Sequence, residues 1–203
     1  MWFEEFFARA QIRAYAFVMD SKDLRARDEI TAELPLEHVV SAHPFLQGMT
    51  QHQIRILAGS AMRTPFKAGE LVFSEGDPAN RFYLLLSGRV ALESYVHECG
   101  NKIIETIGAG EVLGWSWLFP PYFWHFSARA LEPTDAIFIN GTPLRAECEA
   151  DHDLGYQLVS RLAAVMVRRL QAARRQLLAL PGIPIYPTSP SEIGNDKSWT
   201  EAA

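Results

Sequence analysis

The sequence predicts an α+β chain in which helices flank a small β-sandwich or roll, and three observations carry that expectation. Between Phe66 and Ile139 the chain breaks into short apolar or alternating runs separated by glycine and acidic turns, the pattern of closely spaced strands in a small β architecture. Ahead of that stretch lie helical patterns. Behind it, residues 154–180 keep Leu158, Leu162, Val165, Met166, Leu170 and Leu177 near a heptad stripe. A chain of 203 residues with 48% hydrophobic content can bury one substantial core with extensions.

In chain order, residues 2–18 place Trp2, Phe3, Phe6, Phe7, Ala10, Ala14, Phe17 and Val18 at helical spacing, an amphipathic helix whose aromatic face packs on the domain or a partner. The acidic pair Glu4 and Glu5 opposes attachment to anionic lipid. Residues 1–43 are read as this helix plus a connector, residues 44–180 as the compact domain with its long helix, and residues 181–203, rich in proline and polar residues, as a mobile tail. Residues 50–62 predict a helix with Thr50 as N-cap. Strands are expected at Leu71–Phe73, Phe82–Leu86, Val90–Val96, Ile103–Ile107, Val112–Gly114, Ser127–Leu131 and Ala136–Ile139, and helix resumes near Pro143.

Composition narrows function by exclusion. A net charge of −5 gives no overall attraction to nucleic acid. Cys99 and Cys148 stand far apart, so neither a disulfide framework nor a zinc or iron–sulfur site is indicated, and a reducing cytoplasm fits. No run reaches the length of a membrane span. His97-Glu98 is a lone pair, and no nucleophile elbow, Walker loop or HExxH motif is present. The acidic residues Glu147, Glu149, Asp151 and Asp153 around His152 mark a helix start. A non-enzymatic protein without cofactor or metal is expected.

Several motifs together resemble one family. Phe66-x-x-Gly69-Glu70-x-x-Phe73-x-Glu75-Gly76-Asp77 is similar to its opening turn, and Phe82-Tyr83-Leu84-Leu85-Leu86-Ser87-Gly88-Arg89-Val90 to its tyrosine strand and glycine turn. Gly108-x-Gly110-Glu111-Val112-Leu113-Gly114 resembles the strand that enters the phosphate-binding cassette, and Arg161 to Gln171 resembles the start of the dimerisation helix. The order of these motifs over residues 44–178 resembles the cyclic-nucleotide-binding domain of the cAMP receptor protein and FNR regulator superfamily. The resemblance implies a β-roll (double-stranded β-helix, or jelly roll) with N-terminal helices and a long C-terminal dimerisation helix. A homodimer through Leu158, Leu162, Val165, Met166 and Leu170 follows from it.

In family members that bind cAMP, the resemblance places a glutamate directly after the cassette glycine and an arginine a few residues later, the latter pairing with the phosphate. Here those places hold Trp115 and Trp124, and no arginine or lysine lies between Lys102 and Arg129. Losing a charge-assisted hydrogen bond of about 1.5–3 kcal/mol, and the ribose contact besides, removes two or more orders of magnitude of affinity. Arg129 alternates onto the face opposite Ala128 and Ala130, and the family's purine-reading hydroxyl pair falls on Ala173 and Arg174.

Seven aromatic residues, Trp115, Trp117, Phe119, Tyr122, Phe123, Trp124 and Phe126, crowd twelve positions. They either fill the former pocket or form a protein contact surface, or they line a pocket for a flat apolar ligand. The candidate pocket residues are Tyr83, Leu85, Gly114, Trp115, Ser116, Trp117, Leu118, Trp124, His125, Phe126, Ser127 and Arg174, with Ser116, His125 and Ser127 as polar anchors. The 23 residues after Leu180 leave no room for the family's helix-turn-helix domain, so direct DNA recognition is not expected. The reading is a cytoplasmic, homodimeric regulatory or sensor domain with an unknown small ligand, or else a ligand-free assembly subunit docking through its N-terminal helix or aromatic cassette. A functional cAMP or cGMP binder is the third reading.

Overall fold

The computed structural model describes residues 35–98 and 100–179; the amphipathic helix of residues 2–18, Cys99 and the tail of residues 181–203 lie outside the described residues. Helix α1 (Leu36–Ala42) and a 3₁₀ turn (Pro44–Leu46) lead into α2 (Gln51–Gly59). Thr50 caps α2 as expected: its hydroxyl accepts from Gln53 N while the Gln53 carboxamide accepts from Thr50 N, a reciprocal capping box. Eight strands follow: β1 (Ala61–Phe66), β2 (Leu71–Phe73), β3 (Arg81–Leu85), β4 (Arg89–Val96), β5 (Gly100–Gly108), β6 (Val112–Leu113), β7 (Ser127–Ala130) and β8 (Thr134–Asn140). Helices α3 (Gly141–Ala150) and α4 (His152–Leu178) close the series.

Pairing is nested: β1 with β8, β2 with β7, β3 with β6 and β4 with β5, all antiparallel. The run of strands is thus one long hairpin rolled into two four-stranded sheets, ordered β1-β8-β3-β6 and β2-β7-β4-β5, the jelly-roll arrangement that the sequence predicts. Alternation along β3 sends Tyr83 and Leu85 into the space between the sheets and Phe82 and Leu84 to the other face. The interior cluster joins Tyr83 and Leu85 to Phe66, Phe73, Val90, Leu92, Ile107, Leu113, Trp124, Ala128 and Ala130, with Phe126 and Phe138 packed against it. Gly88 (φ +80°) makes the β3–β4 turn possible, because a Cβ there would lie 2.6 Å from Pro133 O and 2.7 Å from Thr134 Cα.

Three expectations need correction. Helix was expected through residue 62, but α2 stops at Gly59 and β1 begins at Ala61. Pro65 is tolerated in β1 because β1 is a sheet edge, where a missing N–H breaks no ladder bond. Of the acidic residues around His152, Glu147 and Glu149 belong to the last turn of α3, whereas Asp151 and Asp153 do mark a helix start: Asp151 accepts from Leu154 N at 3.1 Å and Asp153 lies in the first turn of α4.

Burial also begins ahead of residue 44, since Val39, Val40 and His43 are already buried. His43 Nδ1 accepts from Phe45 N, which leaves Nε2–H to donate to Leu85 O at 3.3 Å. Burial holds this imidazole well below its ordinary 6.5, at about 4, despite that bond. The unfolded chain therefore takes up a proton first as pH falls. The contribution of neutral His43 is complete above pH 6.5 and drains between 6.5 and 4, up to about 3 kcal/mol. Urea unfolding of wild type and His43→Gln at pH 7 and pH 4.5 checks this: the variant loses less stability on acidification.

The described chain divides into two compact units, one running to Leu162 and one from Ala163. In the first, Leu154, Leu158 and Leu162 of α4 are buried. In the second, Met166 is half-buried and Val167, Leu170, Leu177 and Leu178 are exposed.

Candidate functional site

The cassette between β6 and β7 is held by backbone bonds to the opening turn. Gly76 N donates to Trp124 O, Trp124 N to Asp77 O, and Ala79 N to Tyr122 O, at 2.7–2.9 Å. This stitching turns the Trp124 side chain inward, where it is 3% exposed and stacks on Phe73 with centroids 3.9 Å apart. Gly114 (φ +88°) adjoins it so closely that a Cβ would meet the Trp124 ring at 2.8 Å. The place at which the resemblance puts a phosphate-pairing arginine therefore holds a buried indole, stacked within the aromatic interior of the roll.

The other candidates separate into three groups. Tyr83 and Leu85 line the interior beside Trp124; Tyr83 makes edge contacts with Phe66 and Phe138, and burial raises its phenol pKa while the Arg81 charge opposes that shift. Trp115 is half-buried and stacks on the exposed His125, whose Nδ1 meets Ser116 Oγ at 3.0 Å, so Trp115, Ser116 and His125 form one small surface cluster. Ser127 Oγ accepts from Glu75 N and serves the opening turn. Phe126 packs against the core, and Leu118 is half-buried.

Trp117 does not share the interior. It lies in a three-residue 3₁₀ turn (Ser116–Leu118) and stacks on Phe82, on the opposite face of the sheet from Tyr83. Its carbonyl accepts from Arg145 Nη1 at 2.6 Å, and the same guanidinium covers the Tyr122 ring at 4.4 Å. Trp117 is thus a wedge on the outer face of the sheet, held by α3, which corrects its place among the pocket residues. Arg129 stands on the outer face, as alternation predicts, where Nε donates to the buried Glu93 and Nη1 to Gly69 O. Arg174 is exposed in the second unit.

The expected dimer residues also divide. Leu158 and Leu162 are at most 1% exposed and Val165 is buried, so these leucines belong to the protomer's own core rather than to an open seam. A different stripe, Tyr156, Val159, Ala163, Met166, Leu170, Ala173 and Leu177, repeats at alternating three- and four-residue steps, the spacing of a coiled-coil seam. Of these, Tyr156 and Leu170 are about 70% exposed. Sequence reasoning merged two neighbouring apolar stripes into one.

A nested eight-strand roll with an inserted cassette and a long closing helix is a β-roll of the α+β class. The comparisons with known proteins show what this roll is similar to. Residues 63–151 match the model of the cyclic nucleotide-binding domain, so this part of the chain is similar to the domain found in the regulators related to the cAMP receptor protein. A curated relative, the CRP-like cAMP-activated global transcriptional regulator of Mycobacterium tuberculosis, is 23% identical over 145 residues, 71% of this chain and 63% of the relative; the chain thus spans less than two thirds of that protein's length.

Two solved structures are similar as well. A candidate cyclic nucleotide-binding protein of Geobacter metallireducens is 29% identical, with a TM-score of 0.61 over 68% of this chain and 98% of that one. The Thermus thermophilus catabolite activator protein is 25% identical, with a TM-score of 0.53 over 66% of this chain and 61% of that one. Among the described residues no helix is long and apolar enough to cross a membrane, and no cluster of His, Cys, Asp and Glu has metal-binding geometry.

Proposed function

We propose that this protein is a regulatory or sensor domain, a cytoplasmic homodimer through α4, which does not bind cAMP or cGMP tightly and does not read DNA directly. One observation carries the reading: Trp124 occupies the interior of the roll where the resemblance puts the phosphate's arginine, stacked at 3.9 Å on Phe73. The cassette offers no cation in its place, since Lys102 and Arg129 bracket a stretch without lysine or arginine and Arg129 is engaged on the outer face with Glu93. A cyclic phosphate bound there has no charge-assisted partner from the cassette and competes with a packed indole for the same volume.

The tight stacking of Phe73 and Trp124 also favours a second reading, a ligand-free assembly subunit that uses the cassette's exposed Tyr122 and Phe123 as a docking surface. The third reading, a true cyclic-nucleotide sensor, follows the name of the M. tuberculosis relative. Thermal unfolding with 1 mM nucleotide, a concentration that stabilises a micromolar binder by about 4 kcal/mol, separates it from the others. No shift in Tm is expected with cAMP or cGMP, and a rise of several degrees overturns the proposal.

A further inference from the structure

The roll contains one cation on its inner face, and the family motifs do not account for it. Arg81 opens β3 and alternates with Tyr83 and Leu85, so it projects on the side that faces the other sheet. Its guanidinium carbon lies 5.9 Å over the Phe138 ring centroid, a cation–π approach. Its Nε is buried without a hydrogen-bond partner, and no carboxylate among the described residues forms an ion pair with it. Met62, in register with Phe138 across β1 and β8 and 59% exposed, provides an open apolar rim.

Two indole donors of the roll are unsatisfied as well. Trp124 Nε1 has no acceptor, although the residue is almost wholly buried. A Cβ on Gly114 would lie 2.8 Å from the Trp124 ring and 3.6 Å from the backbone carbonyl oxygen of Arg81, so the indole adjoins the β3 backbone, whereas the guanidinium lies over Phe138. Buried donors are nearly always paired in proteins, and an orphan asks for an explanation. The Arg81 Nε is such an orphan, and it stands beside the Phe138 ring. The unpartnered Trp117 Nε1 is a separate matter, because that ring packs on Phe82 at the outer face.

We infer that Arg81 is the anion-binding residue of a ligand site at the end of β3, taking a carboxylate on a planar apolar body, with Phe138, Tyr83 and the exposed Met62 as its surroundings. This rests on the reading that the cassette is not a cyclic-nucleotide site. The donor count selects the class. A guanidinium presents a fork that matches the two oxygens of a carboxylate, whereas a cyclic phosphate with its sugar hydroxyls brings more polar groups than one arginine satisfies. The aromatic rings suit a flat hydrophobic body.

The test is calorimetry with 1-naphthoate and its neutral counterpart 1-naphthamide on wild type, Arg81→Gln and Arg81→Lys. Wild type binds the naphthoate saturably. Replacing either charge, by the amide on the ligand or by glutamine on the protein, weakens binding about ten- to hundredfold, and lysine recovers part of the loss. The amide arm keeps the wild-type protein, so it stands even if Arg81→Gln folds poorly. Absence of saturable naphthoate binding up to about 10 mM, or equal affinity for acid and amide, overturns the inference. cAMP run in parallel distinguishes the failures: micromolar cAMP binding overturns the reading of the cassette, whereas silence from both ligands removes the Arg81 site alone.

Discussion

Trp124→Ala destabilises the protein by about 3–5 kcal/mol, the range for truncating a buried Trp or Phe that the surroundings cannot close around. The indole is 3% exposed, stacks on Phe73, and belongs to the same cluster as Tyr83, Leu113 and Ala128. Its removal leaves a void between the two sheets, and Gly114, whose φ of +88° excludes most larger side chains, cannot be exchanged to fill it. Urea unfolding at neutral pH measures the loss. Trp124→Phe, which retains a ring against Phe73, costs clearly less. A Trp124→Ala protein as stable as wild type would mean that the indole is not part of the core, and the cassette would then be open to a ligand.

The second large effect concerns association. Wild type is expected to run at twice its chain mass in light scattering, and Leu170→Glu to run as a folded monomer. Leu170 is 71% exposed in the protomer, so the protomer tolerates glutamate there, whereas the two-fold seam buries two opposed carboxylates and weakens at least about a hundredfold. Leu158→Glu behaves differently. Leu158 is fully buried, so its replacement unfolds the protomer rather than dissociating the dimer. A monomeric wild type removes the case for the exposed stripe, and a folded, monomeric Leu158→Glu would restore the assignment of the seam to the buried leucines.

These contrasts show where sequence reasoning reached and where it stopped. Strand positions were legible because period-two alternation and glycine turns are local signals, and Tyr83, Leu85, Ala128 and Ala130 all face the interior as alternation requires. The Thr50 cap was legible for the same reason. The two stripes of α4 were not, because adjacent apolar stripes on one helix differ only by what covers them, which is a tertiary fact. Trp117 was misplaced since seven aromatics in a short irregular loop carry no periodicity from which to assign faces. The β1 strand was hidden by its proline, which an edge position permits. Arg81 escaped notice because an arginine at a strand end ordinarily reads as solvated; only the burial of its Nε and its place over Phe138 set it apart. His43, too, looked like a linker residue until its contact with Leu85 O was visible.

If the packed Trp124 stands where a nucleotide-binding roll keeps its phosphate arginine, cAMP finds no site, and isothermal titration with cAMP reads this out. At protein concentrations of about 100 µM and nucleotide in excess, the account predicts no saturable heat, equivalent to a Kd above about 1 mM. A sigmoidal or hyperbolic isotherm with a micromolar Kd and one site per chain would overturn it and favour a true cyclic-nucleotide sensor.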